Sequence, residues 1–306
     1  PPCLATNLFS ANPLTSLVDQ EVYSIPMLLL IGWRGQPGIH DEPQHLKQGR
    51  VTLSLLETLE IPYELSGNNI RDAAKNLEKA IDHIKKNSSP YALIIKKGTF
   101  EQYELKNKVS TNYDLNREEA IKLIVNKLDE KDIVVSTTGM TSRELFEYRE
   151  SLKQSHSSDF LTVGCMGHSS QIAFGIALAK KDRQVYCIDG DGAMIMHMGS
   201  LSIIGSQKPE NFKHIILNNG SHDSVGGQST TAFNIDIPSI AKSCGYREAM
   251  VGEKTEDIKD KISLLKRIKG PALLEIKLNK ESRKNLGRPT TSPIENKKAF
   301  MKNLEK

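Results

Sequence analysis

No apolar run in this chain is long enough to span a bilayer. The longest, Ile25 to Ile31, falls far short of the roughly 20 residues a transmembrane helix needs. No signal-peptide pattern is visible. The four cysteines, Cys3, Cys165, Cys187 and Cys244, show neither a CxxC pair nor His-rich metal spacing. A disulfide scaffold is therefore not expected, and a reducing cytoplasm suits the chain best. Cys187 sits in an apolar run, where it reads as a small buried side chain. Charge of one sign is also missing: 41 Lys plus Arg face 37 Asp plus Glu, a net +4. That excludes the strongly basic footprint of a nucleic-acid binder. The Lys pairs are scattered and read as solvated, and the mild positive balance suits an anionic substrate only weakly. There is no internal repeat and no low-complexity run.

What is present is alternation. With 306 residues the length suits two domains of ordinary size. Pro26 to Gly32 reads as a strand entering a glycine-rich loop, Leu46 to Leu59 and Ile70 to Lys86 as amphipathic helices, and Tyr91 to Ile95 as a buried strand. A polar stretch around residues 99–116 reads as a linker. After it, residues 117–129 predict a helix and Asp132 to Val135 a strand. A small-residue helix follows over Gly167 to Ala179, then the strand Gln184 to Ile188. A helix is predicted over Ala193 to Gly205 and a strand over Lys213 to Leu217. Pro238 to Cys244 and Thr255 to Lys266 read as helices, Ala272 to Ile276 as the last strand, and Ile294 to Leu304 as a terminal helix. Strand alternating with helix throughout predicts an α/β protein with two parallel-sheet domains. The expected divisions are residues 1–98, a linker 99–116, a second domain 117–280, and a tail 281–306.

One unit carries chemistry. Gly190-Asp191-Gly192-Ala193 ends a predicted strand, and Asn218-Asn219 ends the next, with 25 positions (193 to 217) between them. A right-handed crossover places such strand ends side by side, at the carboxyl edge where open α/β sheets bind ligands. A carboxylate and an amide oxygen there suit a hard divalent cation carrying phosphate oxygens. A GDG turn alone would be weak; with the paired asparagines at this distance and in this context it is much stronger.

This unit resembles the motif of the thiamine-diphosphate-dependent decarboxylases. Gly164-Cys165-Met166-Gly167 looks like their Gly-x-hydrophobe-Gly loop. The resemblance implies Met166 as the wedge that bends the cofactor and the Gly164 carbonyl as acceptor for the 4′-amino group. Taken alone, Met166 is more readily ordinary core. Thr138, Gly139 and Met140 lie at another strand end, placed for the pyrimidine ring or the diphosphate, although the same residues make a good turn and N-cap. By family pattern Asp191, the Asn219 side chain and the Ser221 carbonyl hold Mg²⁺, and Gly190, Gly192 and Ala193 border the diphosphate. His222 is implied beside the reacting carbon, as a hydrogen-bond donor or proton carrier; a solvated loop histidine is the alternative.

The match narrows further. Asn12 to Leu17, Ile25 to Gly35, Asp41 to His45, Gly164 to His168, Leu217 to Gln228 and Leu286 to Asn296 look like the phosphonopyruvate decarboxylase family, with sulfopyruvate decarboxylase as its near relative. The resemblance implies thiamine diphosphate and Mg²⁺ as cofactors, a small anionic 2-oxo acid as substrate, and non-oxidative loss of carbon dioxide. Arg34, Gln44, His45, His222, Ser224 and Gln228 are the implied substrate contacts, each equally readable as a surface residue. The family site lies between domains of different subunits, which implies at least a homodimer. It also uses a glutamate upstream of the segment matching Asn12 to Leu17, and residues 1–11 contain no Asp or Glu. The expectation is therefore an incomplete first domain, with a non-catalytic remnant or another 2-oxo acid decarboxylase as alternatives.

Overall fold

The computed structural model describes residues 11–67, 69–101, 103, 105–106 and 110–306. The opening segment to Ser10, Cys3 and part of the expected linker lie outside the described residues. The chain divides into two compact units, residues 1–104 and 105–306.

Unit one holds α1 (Ala11–Ser16), β1 (Leu28–Gly32), α2 (Pro43–Thr58), β2 (Tyr63–Leu65), α3 (Ile70–Asn87) and β3 (Tyr91–Ile95). Its three strands are parallel in the order β1-β3-β2. The apolar run of β3 takes the centre because its residues must be covered on both faces. Leu29, Ile31, Ala92 and Ile94 pack with Leu56 and Ile61 on one face, while Tyr91 and Leu93 pack on Ala80 of α3 on the other. Asn69 caps α3 by accepting from the Asp72 amide at 3.0 Å, and Lys85 and Lys86 sit in the last turn, where the helix dipole favours cations.

Unit two is built on a six-stranded parallel sheet. Its strands are β4 (Ile133–Ser136), β5 (Asp159–Leu161), β6 (Val185–Gly190), β7 (Phe212–Asn218), β10 (Glu248–Gly252) and β11 (Ala272–Lys277), ordered β10-β11-β7-β6-β4-β5. A short antiparallel pair, β8 (Ser221–His222) and β9 (Gln228–Ser229), follows β7. One face is covered by α4 (Arg117–Val125), α5 (Met140–Ser151) and α10 (Thr255–Arg267) through Ile121, Ile124, Leu145, Ile258, Ile262 and Leu265. The other is covered by α6 (Ser169–Ala179), α8 (Ser200–Gln207), α9 (Ile237–Ser243) and α11 (Pro293–Leu304) through Ala173, Phe174, Leu201, Ile204, Ile237 and Phe300. Asn116 with Glu119, and Ser292 with Glu295, close capping boxes at the starts of α4 and α11, satisfying amides that have no intrahelical partner.

The predicted helix Ala193 to Gly205 is two helices, α7 (Asp191–Met196) and α8, broken at His197 to Gly199. The His197 amide bonds back to the Met194 carbonyl at 3.3 Å, and Ser200 restarts on the His197 carbonyl at 2.9 Å. The break turns the His197 ring onto that of His168, with centroids 4.3 Å apart. The short strands β2, β5 and β10 and the helix α5 have no counterpart in the sequence reading. Among the described residues no helix is long and apolar enough to cross a membrane.

Candidate active site

The α/β order of unit two reverses between β4 and β6: α5 leaves on one face of the sheet, and α6 returns on the other. Crossovers on opposite faces open a crevice at the strand ends between them. The ends of β4, β6 and β7 line a pocket there, with Thr137, Thr138, Met140, Met166, Asp191, Asn219, His222 and Ser224 among its walls.

Asp191 opens α7 and is 2% exposed. Burial pushes its carboxyl up to about 6, against the hydroxyl of Thr230 and backbone amides that favour the charged form. The two asparagines at the end of β7 point apart, as successive residues on a strand do. Asn218 donates to Glu275 Oε1 at 2.6 Å and accepts from the Gly220 amide at 3.0 Å. Asn219 faces the pocket; its Nδ2 donates to Asp223 Oδ2 at 2.8 Å and its Oδ1 accepts from the Ser221 amide at 3.1 Å. The Asp223 carboxylate thus sets which end of the Asn219 amide carries oxygen.

Asp223 is in turn held by Arg117 Nη1 at 3.1 Å, and Arg117 grips Glu144 through Nε at 2.8 Å and Nη2 at 2.9 Å. All three side chains are more than nine-tenths buried. Burial works against the Arg117 charge, but the carboxylates of Glu144 and Asp223 outweigh it and raise its pKa on balance. Burial raises Glu144 despite the same pairing. Arg117, Thr137, Thr141, Asp223 and Leu278 line the pocket and were not among the predicted site residues. A signal existed for Arg117: it occupies the first helical position of α4, where the dipole favours acids.

The glycines of the motif work differently from one another. A Cβ on Gly192 would stand 2.4 Å from His222 Cε1 and 2.7 Å from its Nδ1, so the absent side chain makes room for that ring. Gly190 has nothing nearer than Thr137 at 3.9 Å. His222 is half-buried and its pKa is lowered by burial, which keeps the imidazole neutral at pH 7. Gly167 sits at φ +89, where a Cβ would come within 2.8 Å of the Ala193 carbonyl oxygen, so the Gly164–Gly167 loop packs directly on α7.

Of the predicted site residues, Thr138, Met140, Met166, Gly190, Asp191, Gly192, Ala193, Asn219, Ser221, His222 and Ser224 line this one pocket. Gly139 lies within it in sequence, with φ +81 and the Ser224 side chain 3.4 Å from its virtual Cβ. Gly164 is a half-buried bend beside Met166. Gln228 pairs in register with His222 across β8 and β9. Arg34, Gln44 and His45 belong to unit one. There Arg34 holds Asp41 through Nε at 2.9 Å and Nη2 at 2.6 Å, and His45 Nδ1 lies 2.9 Å from Asp41 Oδ1.

Among the described residues, three pocket oxygens are buried without a hydrogen-bond partner: Thr137 Oγ1, Ser221 Oγ and Asp223 Oδ1. With the Asp191 carboxylate and the Asn219 amide they form an all-oxygen donor set, the chemistry of a hard divalent cation with phosphate oxygens. Unpartnered buried oxygens are costly, and a metal-bound diphosphate would satisfy them.

Residues 137–276 match the family described as thiamine pyrophosphate enzyme, C-terminal TPP binding domain. Fold, pocket and match together define an enzyme of the thiamine-diphosphate-binding class. Over 94% of its length the chain is 32% identical to a phosphonopyruvate decarboxylase of Streptomyces viridochromogenes, covering 75% of that protein, and 31% identical to one of Streptomyces hygroscopicus, covering 74%. A shorter stretch, 42% of the chain, is 40% identical to a sulfopyruvate decarboxylase subunit beta of Methanocaldococcus jannaschii and covers 66% of it. The chain belongs to the phosphonopyruvate decarboxylase family and is a thiamine-diphosphate-dependent carboxy-lyase.

Proposed function

We propose that this protein decarboxylates 3-phosphonopyruvate to phosphonoacetaldehyde and carbon dioxide, with Mg²⁺ and thiamine diphosphate. The observation that carries this is Asp191 and Asn219 meeting at adjacent strand ends beside three unpartnered buried oxygens. Identity above 30% to decarboxylases of that name supports the substrate.

Asp191, the Asn219 Oδ1 and the Ser221 carbonyl would hold the metal. The bound cofactor supplies an electron sink for the pair left when the carboxylate departs. The chain supplies the rest. Asp223, anchored by Arg117, keeps Asn219 oriented with its oxygen forward. Met166 and the Gly164 carbonyl shape the wall on one side; Thr138, Gly139 and Met140 shape it on the other. Loop 219–225 would shield the reacting carbon of a bound cofactor from water. His222, neutral at pH 7 and seated on Gly192 by its Nδ1–Cε1 edge, delivers or removes a proton at Nε2. Ser224 and Gln228, from the same loop region, are assigned to substrate hydrogen bonds, as are Arg34, Gln44 and His45 of unit one.

The working form is taken to be at least a homodimer. A similar protein that bears the name of a subunit supports assembly, and three described cysteines that are all unpaired suit a cytoplasmic setting.

The test is single-turnover carbon dioxide release from phosphonopyruvate, sulfopyruvate and pyruvate, with both cofactors present. Phosphonopyruvate should react fastest, and Gly192→Ala should slow it by displacing His222. Preferred turnover of sulfopyruvate would overturn the substrate assignment. Cofactor binding without turnover of any of the three would leave a diphosphate-binding protein that does not catalyse.

A further inference from the structure

Beneath the carboxyl ends of β6 and β7, on the face covered by α6, α8 and α9, lies a second polar cluster outside the pocket. Cys187 and Asp189 alternate on β6 and therefore share one face of the sheet. His214 on β7 is the register partner of Cys187. All three are 0% exposed, set among Ile133, Val135, Ala173 and Leu273. Sulfur, imidazole nitrogen and carboxylate oxygen lie within 4.8 Å of one another.

The hydrogen bonds around the cluster turn two atoms toward each other. Asp189 Oδ1 accepts from the Gly190 amide at 3.0 Å, which leaves Oδ2 facing inward. His214 Nδ1 is tied to the Tyr246 hydroxyl at 3.2 Å, which leaves Nε2 facing inward. Oδ2 and Nε2 stand 3.6 Å apart, and neither has a hydrogen-bond partner. That separation exceeds a normal N–H···O bond. It is near the spacing of two ligands about 2.0–2.1 Å from one tetrahedral zinc, roughly 3.3 Å. Tethering the second ring nitrogen and the second carboxylate oxygen is what metal ligands require of their surroundings. A buried carboxylate with one unanswered oxygen is otherwise costly.

We propose that Cys187, Asp189 and His214 bind a zinc ion distinct from the Mg²⁺ site. The thiolate and imidazole select zinc, where the all-oxygen pocket selects magnesium. Binding expels the Cys187 thiol proton. The ion clips β6 to β7 immediately below the strand ends that carry Asp191 and Asn219, and so fixes the spacing of the two halves of the cofactor motif.

The experiment measures the zinc content of the full chain grown with zinc and dialysed against Mg²⁺ and thiamine diphosphate. It then reads the absorption of the protein refolded with Co²⁺ in place of zinc. One zinc ion per chain is expected, with a thiolate-to-cobalt charge-transfer band in the near ultraviolet. Both should disappear in Cys187→Ser and His214→Gln and persist in Cys244→Ser. X-ray absorption on the unmodified zinc protein reads sulfur and nitrogen ligands directly, whether or not the variants fold. Zinc absent from the purified chain and not taken up on refolding with Zn²⁺ would overturn the proposal. So would a cobalt complex without the band, or one that Cys187→Ser leaves unchanged.

Discussion

The two units use the same element, a parallel sheet flanked by helices, yet they cover it to different extents. In unit two every residue of β4 and β7 is buried, and helices pack on both faces. In unit one the edge strand β1 is buried on alternate residues only; Leu28 is 37% and Leu30 55% exposed. Purely parallel sheets are ordinarily covered on both faces, and uncovered apolar side chains mark surfaces suited to contact. The same contrast governs polar groups. Unit two carries polar side chains inside the fold, at Arg117, Glu144, Asp191 and Asp223, whereas Arg34, Asp41 and His45 of unit one meet near the surface. Burial is most complete in unit two, and there desolvation raises the carboxyls of Asp191 and Glu144 above their ordinary values.

Asp191→Asn breaks this contrast most directly. Losing the proposed metal ligand should lower carbon dioxide release by more than the roughly hundredfold that loss of an outer partner costs. It should also stabilise the apoprotein. The folded carboxyl titrates near 6, above its ordinary 3.8, so the folded state holds its proton more tightly. Stability is fully present below the ordinary value and is lost as pH rises through about 6, a difference of roughly 3 kcal/mol at neutral pH. A higher melting temperature for apo Asp191→Asn at pH 7, vanishing at pH 4, is the expected outcome. Cofactor affinity of the unaltered protein, followed by calorimetry, should weaken as pH falls through 6, because the proton competes with the metal.

Removing one partner of the buried ion network is next in size. Arg117→Ala should cost about 3–5 kcal/mol, since it strands Glu144 and Asp223 without a cation. Denaturant unfolding would measure it, and a loss below about 1 kcal/mol, the scale of an exposed pair, would show that the network is solvated rather than buried. The smallest pair of effects sharpens the comparison of cores. Ile215→Ala, at a fully buried site in β7, should cost about 2–5 kcal/mol. Leu30→Ser on the open face of β1 should stay within about 0.5 kcal/mol. Equal costs would mean that the exposed face of β1 is covered in solution.

Much of this molecule is legible in its sequence because the signals are local. Tyr91 to Ile95, Ile70 to Lys86 and Ala272 to Ile276 mark their own elements by apolar period, and the GDG and Asn-Asn ends, 25 residues apart, announce two neighbouring strand ends in one sheet. Periodicity reports which residues are buried but not what they meet. It therefore misses the break at His197 to Gly199, beside which the His197 ring meets that of His168, and the short edge strands β5 and β10, whose few residues carry no period. Only the tertiary structure decided that Arg117 reaches Asp223 across 106 residues of sequence, that Gly192 is small for the sake of His222, and that Cys187 shares its face with Asp189 and His214. Those pairings are set by sheet order and register, which bring distant residues within bonding range and leave no mark on their neighbours in the chain.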